Sequence, residues 1–213
     1  MPECRNDFQK QLEKTLEELK ASGQKPKLLL HACCGPCSSY VLEYLCSYFE
    51  ITVLFYNPNI YPQQEYERRL NELKTFYTRF EPARTVSLVE LPYDPQEFYT
   101  ATGVHENPEL AKEGERGERC RRCYELRLRK TREYAQEHNF DYFCTTLSIS
   151  PFKDAVMINE IGEALGGSLW LTSDFKKKNG FKRSLELSAE YGLYRQEYCG
   201  CIYSIRDLKN AHS

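Results

Sequence analysis

Long apolar runs are absent from this 213-residue chain. The longest, Leu28–Leu30 with Ala32–Cys34 and Ile51–Tyr56, are far too short to span a bilayer. The first ten residues include acidic side chains and lead into no apolar stretch, so we expect neither a secretory signal nor a membrane partner. A cytoplasmic location follows as an expectation. In that compartment clustered thiols favour metal binding or catalysis over structural disulfides.

The chain also lacks internal repeats and low-complexity tracts, so it is expected to form one globular unit. Its hydrophobic share of 41% and charged share of 28% are ordinary for such a domain. Phe8, Leu12, Leu16 and Leu19 recur at helical spacing and predict an amphipathic helix over residues 5–21. We therefore divide the chain into an N-terminal helix region, 1–26, and a main domain, 27–213, to which the patterns described next assign an α/β fold and a catalytic site.

Short apolar runs alternate with helical patterns along the rest of the chain. This alternation predicts a parallel sheet with helices on both faces, in a single domain. In such sheets ligands bind at the carboxyl ends of the strands, where C-C-G-P-C and T-T-L-S-I-S-P lie. The polar stretch 100–117 is predicted to be an exposed loop. Strands are predicted at 27–31, 51–56, 85–91 and 141–145. Gly35-Pro36 is predicted to form a turn that leads into a helix through S-S-Y-V-L-E-Y-L (38–45), and further helices are predicted at 63–80, 119–138 and 155–165.

A strong net charge is missing too, since the formal value is only -2, but the positive charges are clustered. The segment 116–132 holds eight basic and two acidic residues. A second patch with no opposing charge lies within 176–183. A single cluster of basic residues usually forms only a solvated, charged surface. Two dense clusters in one chain favour a polyanionic partner such as nucleic acid. The candidate contacts are Arg121, Arg122, Lys176, Lys177, Lys178, Lys182 and Arg183.

What the chain has in abundance is cysteine, ten in all, and six of these form three tight sets. Cys120 and Cys123 are one turn apart on a predicted helix, which makes a half-site for zinc or an iron–sulfur cluster and, less well, a thioredoxin-type couple. Arg119, Arg121 and Arg122 would favour their thiolates. Cys33 and Cys34 would complete four thiolates, a set that spacing alone does not assign to zinc or to [4Fe–4S].

The remaining cysteines invite different interpretations. Cys199 and Cys201, separated by one glycine, suit a redox-active couple, with further metal ligands or free thiols as the alternative. Cys37 begins a helix, where the helix dipole would lower its pKa, and is either a spare ligand or a packed residue. Cys46 and Cys144 are expected in the core, and Cys4 has no partner in sequence. His31 is either a satisfied structural residue or a proton-transfer partner of Cys33.

Five motifs in order carry a resemblance that covers most of the chain from Leu28 to Ser204. They are H-A-C-C-G-P-C-S (31–38), Y-N-P-N-I (56–60), C-R-R-C-Y-E-L-R-L (120–128), T-T-L-S-I-S-P-F-K (145–153) and Y-R-Q-E-Y-C-G-C (194–201). Together they resemble the QueH family of epoxyqueuosine reductases. The resemblance implies a Rossmann-like fold, similar to that of PP-loop enzymes. It also implies reduction of epoxyqueuosine to queuosine at the tRNA wobble position.

The same resemblance implies site roles for individual cysteines. A [4Fe–4S] cluster would be bound by Cys33, Cys34, Cys120 and Cys123, and a redox-active disulfide would form between Cys199 and Cys201. A mononuclear iron beside the cluster could take Cys37 as a ligand. The implied partner is a tRNA anticodon loop, and the electron donor stays open.

Two rival functions are weighed against this one. An ATP-dependent tRNA-modifying enzyme of the PP-loop type would need a Gly/Ser-rich phosphate loop after the first strand, and Ser38-Ser39 suggest one only weakly. A zinc-stabilised RNA-binding protein without catalysis would use the same thiolates for structure alone.

Overall fold

A four-stranded, all-parallel sheet forms the centre of the computed structural model, which describes residues 7–205. Cys4 and the first residues of the predicted N-terminal helix lie outside this range. The strand order is β3-β2-β1-β4, so β1 is central and Leu28, Leu29 and Leu30 are fully buried. All four strand predictions are confirmed to within two residues. The strands are β1 (Lys27–His31), β2 (Glu50–Phe55), β3 (Ser87–Glu90) and β4 (Tyr142–Thr145).

Helices cover both faces of the sheet, which confirms the predicted α/β class. Helix Gly35–Leu45 packs against helix Gly180–Glu190, and helix Glu118–Glu137 packs against helices Pro95–Thr102 and Ala155–Gly166. Among residues 7–205, no helix is both long and apolar enough to cross a membrane. The helices are α1 (Phe8–Ser22), α2 (Gly35–Leu45), α3 (Gln63–Arg79), α4 (Pro95–Thr102), α5 (Glu118–Glu137), α6 (Ala155–Gly166) and α7 (Gly180–Glu190).

The N-terminal helix α1 packs on the same core as the sheet. Leu12, Leu16 and Leu19 belong to the main apolar cluster, as their helical spacing predicts. Gln9 also donates a hydrogen bond to the Tyr44 hydroxyl of α2 at 3.1 Å. The buried face of α1 is thus continuous with the core of the α/β unit.

The stretch 100–117 departs from the prediction of an exposed loop. Its first residues complete α4, and Pro108–Lys112 forms a 3₁₀ turn. The helix begins because the Asp94 side chain accepts a hydrogen bond from the backbone N–H of Gln96 and Pro95 fits the first turn. It ends at Gly103, which adopts a left-handed conformation with φ of 68°.

The strand order creates a crevice at one edge of the sheet. The chain passes from β1 to β2 to β3 in one direction, and β4 then pairs with the opposite side of β1. The loops that follow β1 and β4 therefore lead away from a shared point at their carboxyl ends. In open α/β sheets this switch point is where ligands bind. The segments C-C-G-P-C and T-T-L-S-I-S-P, predicted to lie at this edge of the sheet, follow β1 and β4 and do lie there.

Candidate active site

The turn after β1 brings three cysteine sulfurs together. Cys34 is extended and caps α2, where its Sγ accepts a hydrogen bond from the backbone N–H of Cys37 at 3.4 Å. The Sγ atoms of Cys33, Cys34 and Cys37 all lie within 4.8 Å of one another. Within residues 7–205 no other group of three His, Cys, Asp or Glu side chains is this compact. The turn thus presents a preformed set of soft ligands.

The three thiols have different proton affinities. Hydrogen bonds from Cys34 first and Cys37 next hold the pKa of Cys33 well below its usual range. Burial raises the pKa of Cys34 to about 12. The pKa of Cys37 is raised as well, because this thiol hydrogen-bonds with Cys33 and Cys34. The expectation that the α2 dipole would lower the pKa of Cys37 is therefore wrong, because its neighbouring sulfurs outweigh the dipole.

Helix α5 supplies the second cysteine set near its first turn. Cys123 is buried and packs with Cys201 and Phe98 in a small apolar cluster. Cys120 and Cys123 both interact electrostatically with Cys199. The cysteine pair of α5 and the C-terminal cysteines therefore share one region, although about 75 residues separate them in the chain.

Arginines of α5 favour the thiolates of this set, but burial opposes the thiolates more strongly. Burial raises the pKa of Cys120 and raises that of Cys123 to about 11. Arg119 points elsewhere and donates to the Leu110 carbonyl at 2.6 Å. Arg122 pairs with Glu118 at 2.9 Å. The expected thiolate-favouring effect of Arg119, Arg121 and Arg122 is thus outweighed by desolvation.

The C-terminal cysteine segment is held by several backbone contacts. Arg69 donates to the Cys199 carbonyl at 3.2 Å, and the Tyr61 backbone N–H donates to the Gly200 carbonyl at 2.8 Å. Gly200 has a φ of 120°, and a Cβ there would lie 2.9 Å from the Arg69 guanidinium. Only glycine fits this conformation without strain. Gln196 adds a hydrogen bond from its amide to Cys34 Sγ at 3.0 Å.

One cavity of about 260 Å³ joins these segments. Its walls come from the turn after β1, the segment after β4 and the C-terminal segment, so residues distant in sequence line a single space. Cys33, Cys37 and Cys199 all face this cavity together. The other lining residues include Leu147, Ile149, Phe152, Lys153, Phe181, Arg195 and Gln196.

Within this cavity Lys153 accompanies the C-terminal pair. Hydrogen bonding to Cys201 lowers the pKa of Cys199, and the Lys153 ammonium lowers it further. Burial alone would lower the pKa of Lys153, but the Cys199 thiolate raises it overall. The hydrogen bond with Cys199 conversely raises the pKa of Cys201. Cys199 is thus the more acidic thiol of the pair, and a lowered pKa favours the thiolate that thiol–disulfide exchange requires.

Sequence reasoning missed Lys153, although the signal was present. The residue ends the T-T-L-S-I-S-P-F-K segment, which follows a predicted strand at the ligand-binding edge. A lysine at that position is 8% exposed and 3.8 Å from Glu115. Buried lysines are rare, so its location in the fold identifies it as a candidate site residue.

His31 is a structural residue of the sheet. Its Nε2 lies 3.1 Å from the Tyr56 carbonyl, which can only accept, so Nε2 carries the proton. Its Nδ1 then accepts from the Thr145 hydroxyl at 2.8 Å. Burial lowers the pKa of His31 to about 4, so the ring is neutral. With both nitrogens occupied, the structural interpretation is the one that the geometry supports.

Two single cysteines remain in the described range, Cys46 and Cys144. The prediction that Cys144 lies in the core is confirmed. It lies in β4 and is fully buried. Cys46, at the end of α2, is half-buried and packs against the core. Neither lines the cavity.

The second basic patch is partly neutralised by neighbouring carboxylates. Lys176 pairs with Asp174 at 2.8 Å, and Lys178 pairs with Glu13 of α1. Arg183 makes a two-pronged contact with Glu43 of α2 at 2.6 and 2.9 Å. The other predicted contacts of this patch, Lys177 and Lys182, are exposed. Much of the charge that the sequence shows is thus used within the fold.

The donor set at the edge of the sheet fits a soft metal or an iron–sulfur cluster. Three sulfurs already lie within ligand-sharing distance, and buried thiols of α5 and the C-terminal segment lie in the same region. Thiolate ligands of this kind select iron–sulfur clusters, zinc or copper(I) over hard cations. The fold and site define the class as an α/β protein with a thiol-rich, metal-capable site at its topological switch point.

Comparison with known proteins identifies the family. The model of the family described as epoxyqueuosine reductase QueH matches residues 28–207. The epoxyqueuosine reductase QueH of Streptococcus pyogenes is 43% identical over 85% of this chain and 71% of its own length. That of Staphylococcus epidermidis is 38% identical over 93% and 84%, and that of Thermotoga maritima 32% identical over 87% and 94%. The chain belongs to the epoxyqueuosine reductase QueH family and is an oxidoreductase.

Proposed function

We propose that this protein reduces the epoxide of epoxyqueuosine at the wobble position of tRNA, giving queuosine. The observation that supports the proposal most is that sulfurs of the turn after β1 and of the C-terminal segment line one cavity at the switch point of the sheet, while Cys123 of α5 packs against Cys201 of that segment. Relatives that are 43% and 38% identical to this chain over the aligned residues are named for this activity. A buried, thiol-rich cavity is also a suitable place for a reduction that must exclude water.

The chemistry requires two electrons and two protons. Opening the epoxide removes its oxygen as water and leaves a carbon–carbon double bond, so the substrate gains two electrons and two protons. Oxidation of the Cys199 and Cys201 thiols to a disulfide releases the same number of each. An external reductant must then restore the dithiol, and its identity stays open. Lys153 would hold a positive charge beside Cys199 and keep that sulfur as a thiolate.

The proposed cofactor is a [4Fe–4S] cluster bound by Cys33, Cys34, Cys120 and Cys123. Cys37, whose sulfur shares the compact group with Cys33 and Cys34, is the proposed ligand of an additional mononuclear iron. When bound, an iron–sulfur centre supplies one-electron transfer and a Lewis-acidic iron. The chain itself supplies the sulfurs, a cavity lined by three of them, and buried cations near them.

The proposed partner is the anticodon loop of the tRNA, with the wobble base inserted into the cavity. Phe152 supports this because it lines the cavity while 62% of it remains exposed. Arg116 holds the loop that carries it, donating to the Pro151 and Phe152 carbonyls at 2.7 and 3.2 Å. An exposed aromatic ring at the rim of a pocket suits stacking with an unpaired base. Exposed basic residues, Arg121, Lys177 and Lys182 among them, would contact phosphates.

Anaerobic purification followed by a nucleoside assay tests the function. We expect a brown protein with iron–sulfur absorption that dithionite bleaches. Incubated with epoxyqueuosine-containing tRNA and a reductant, it should convert the modified nucleoside to queuosine, as seen by mass spectrometry of digested tRNA.

Two results would overturn this function. A colourless protein that retains only zinc after iron–sulfide reconstitution would favour a structural metal site in an RNA-binding protein. An iron-loaded protein that leaves epoxyqueuosine unchanged with several reductants would refute the activity itself.

A further inference from the structure

Two arginines are buried beside the cysteine site, and cysteine sulfurs favour the charge of both, but only Arg69 also pairs with a carboxylate. Arg69 is fully buried and pairs with the Glu65 carboxylate at 2.7 Å. Arg127 is 1% exposed, and its Nε donates only to the Cys123 carbonyl at 3.4 Å. Each guanidinium keeps one Nη2 without a hydrogen-bond partner among the described residues. Within residues 7–205, a carboxylate therefore compensates the charge of Arg69, whereas none pairs with Arg127.

The groups that interact most favourably with Arg127 are sulfurs. Burial opposes its charge, while Cys123, Cys199 and Cys33 favour it and keep its pKa raised. These three cysteines belong to the three different cysteine sets. Arg127 is one turn from Cys123 on α5, so the helix carries its guanidinium into the region that the sets share.

A buried cation without a counter-charge is costly, and folded proteins retain such groups where an anion completes the site. Resting on the proposed function, we propose that Arg127 is the counter-cation of an anionic iron–sulfur–thiolate centre, placed to favour its reduced state. Reduction adds negative charge to such a centre. A fixed neighbouring cation stabilises the more negative form and raises its reduction potential. Arg127 would thus act as a positioning residue that adjusts the electron supply.

Three variants separate this role from a structural one. Arg127→Met removes the charge and keeps most of the side-chain volume, and Arg127→Lys keeps the charge. Arg69→Met is the matched control, since it removes an equally buried guanidinium that has a carboxylate partner. Thermal unfolding of the reduced, metal-free proteins and redox titration of the reconstituted proteins are the two measurements.

In the metal-free state we expect Arg69→Met to lose much more thermal stability than Arg127→Met, because only the former strands a buried carboxylate. After reconstitution, Arg127→Met should show at least a tenfold smaller equilibrium constant for one-electron reduction, which is about 59 mV in midpoint potential. Arg127→Lys should retain most of the wild-type potential. Loss of iron from Arg127→Met with retention in Arg127→Lys would equally support a charge role.

The inference fails if metal-free Arg127→Met is destabilised as much as Arg69→Met, since Arg127 would then serve the fold. It also fails if the potential of Arg127→Met equals that of the wild type, or if both Arg127 variants lose iron. A wild-type protein that takes up no iron would refute the proposed function, and the counter-cation role of Arg127 would fall with it. The outcomes above, seen in an iron-loaded wild type, refute the role of Arg127 alone.

Discussion

At the scale of single residues, the cavity is controlled by charges that the fold buries next to sulfur. Lys153 faces Cys199 from the segment after β4, while Cys201 donates to Cys199 from within the same short loop. The hydrogen bond from Cys201 lowers the pKa of Cys199 more than the Lys153 ammonium does. The contribution of Lys153, however, can be removed by a substitution that leaves both cysteines in place. Changing Lys153 therefore alters the reactivity of the pair without touching either cysteine.

Replacing Lys153 with Met should raise the pKa of Cys199 in the metal-free, reduced protein. The thiolate then forms only at higher pH, and below the pKa each unit of increase lowers the thiolate fraction about tenfold. Alkylation of Cys199 by iodoacetamide near pH 7 should slow accordingly, as measured by peptide mass spectrometry over time.

Lys153→Arg retains a positive charge and serves as the control, for which alkylation should remain near the wild-type rate. An unchanged rate in Lys153→Met would show that hydrogen bonding to Cys201 alone activates Cys199.

At the scale of secondary-structure elements, the open question is which helix adds cysteine ligands to Cys33 and Cys34, α2 or α5. Cys37 lies in α2, close to Cys33 and Cys34, whereas Cys120 and Cys123 lie in α5 and are proposed as the other two cluster ligands. We expect Cys120→Ser and Cys123→Ser to lose the cluster, and Cys37→Ser to keep four irons and four sulfides. Iron and sulfide analysis after anaerobic reconstitution measures this. Cluster loss in Cys37→Ser with retention in Cys120→Ser would move the site to α2.

The basic residues of α7 and the segment before it should divide into two functional groups. Lys177→Glu and Lys182→Glu change exposed charges and should weaken binding of an anticodon stem-loop RNA. The salt dependence of binding should fall by about one unit of slope per lost phosphate contact.

Arg183→Ala is the contrasting variant, because its guanidinium joins α7 to Glu43 of α2. It should lower the free energy of unfolding by about 1 kcal/mol or less and leave RNA affinity near the wild-type value. Equal RNA-binding losses in all three variants would mean that Arg183 leaves Glu43 to contact phosphate.

The secondary structure shows which elements a sequence reveals. The central strands were predictable because runs such as Leu28–Leu30 have no polar interruption, as burial on both faces requires. Helix α4 was missed because its eight residues lie beside a polar, breaker-rich stretch, although Asp94-Pro95 and Gly103 mark its two ends. The pKa of Cys37 was misjudged for a different reason. A helix dipole can be anticipated from sequence, whereas the neighbouring sulfurs that outweigh it depend on tertiary contacts.

At the scale of the whole molecule, the site is assembled from segments with unequal predictability. The turns after β1 and β4 meet because parallel strands place their carboxyl ends at one edge, so that half of the site follows from topology. The C-terminal segment follows no strand of the sheet, and its position depends on contacts such as Gln196 with Cys34 and Arg69 with Cys199. Such long-range side-chain contacts leave no periodic signal in the sequence.

The convergence of the segments predicts separable roles for the two kinds of cysteine. Cys199→Ser and Cys201→Ser should keep the wild-type iron and sulfide content, because neither residue belongs to the proposed ligand set. Each variant has lost the dithiol that would receive electrons from a reductant and pass them inward. Each product consumes two electrons and a reduced iron–sulfur cluster holds one to donate, so product should stop at one equivalent per enzyme or less when the cofactor is reduced beforehand, as measured by queuosine formed per protein.

Cys46→Ser is the matched control, since this cysteine is half-buried at the end of α2 and does not line the cavity. It should sustain repeated turnover with the same reductant. Iron loss in Cys199→Ser or Cys201→Ser would instead make that residue a ligand, and the cavity would then hold one metal centre without a separate thiol couple. Undiminished multiple turnover in both variants would mean that electrons enter by another path. The C-terminal segment would in that case close the cavity over the substrate, a role its hydrogen bonds to Arg69, Tyr61 and Cys34 could fulfil without redox chemistry.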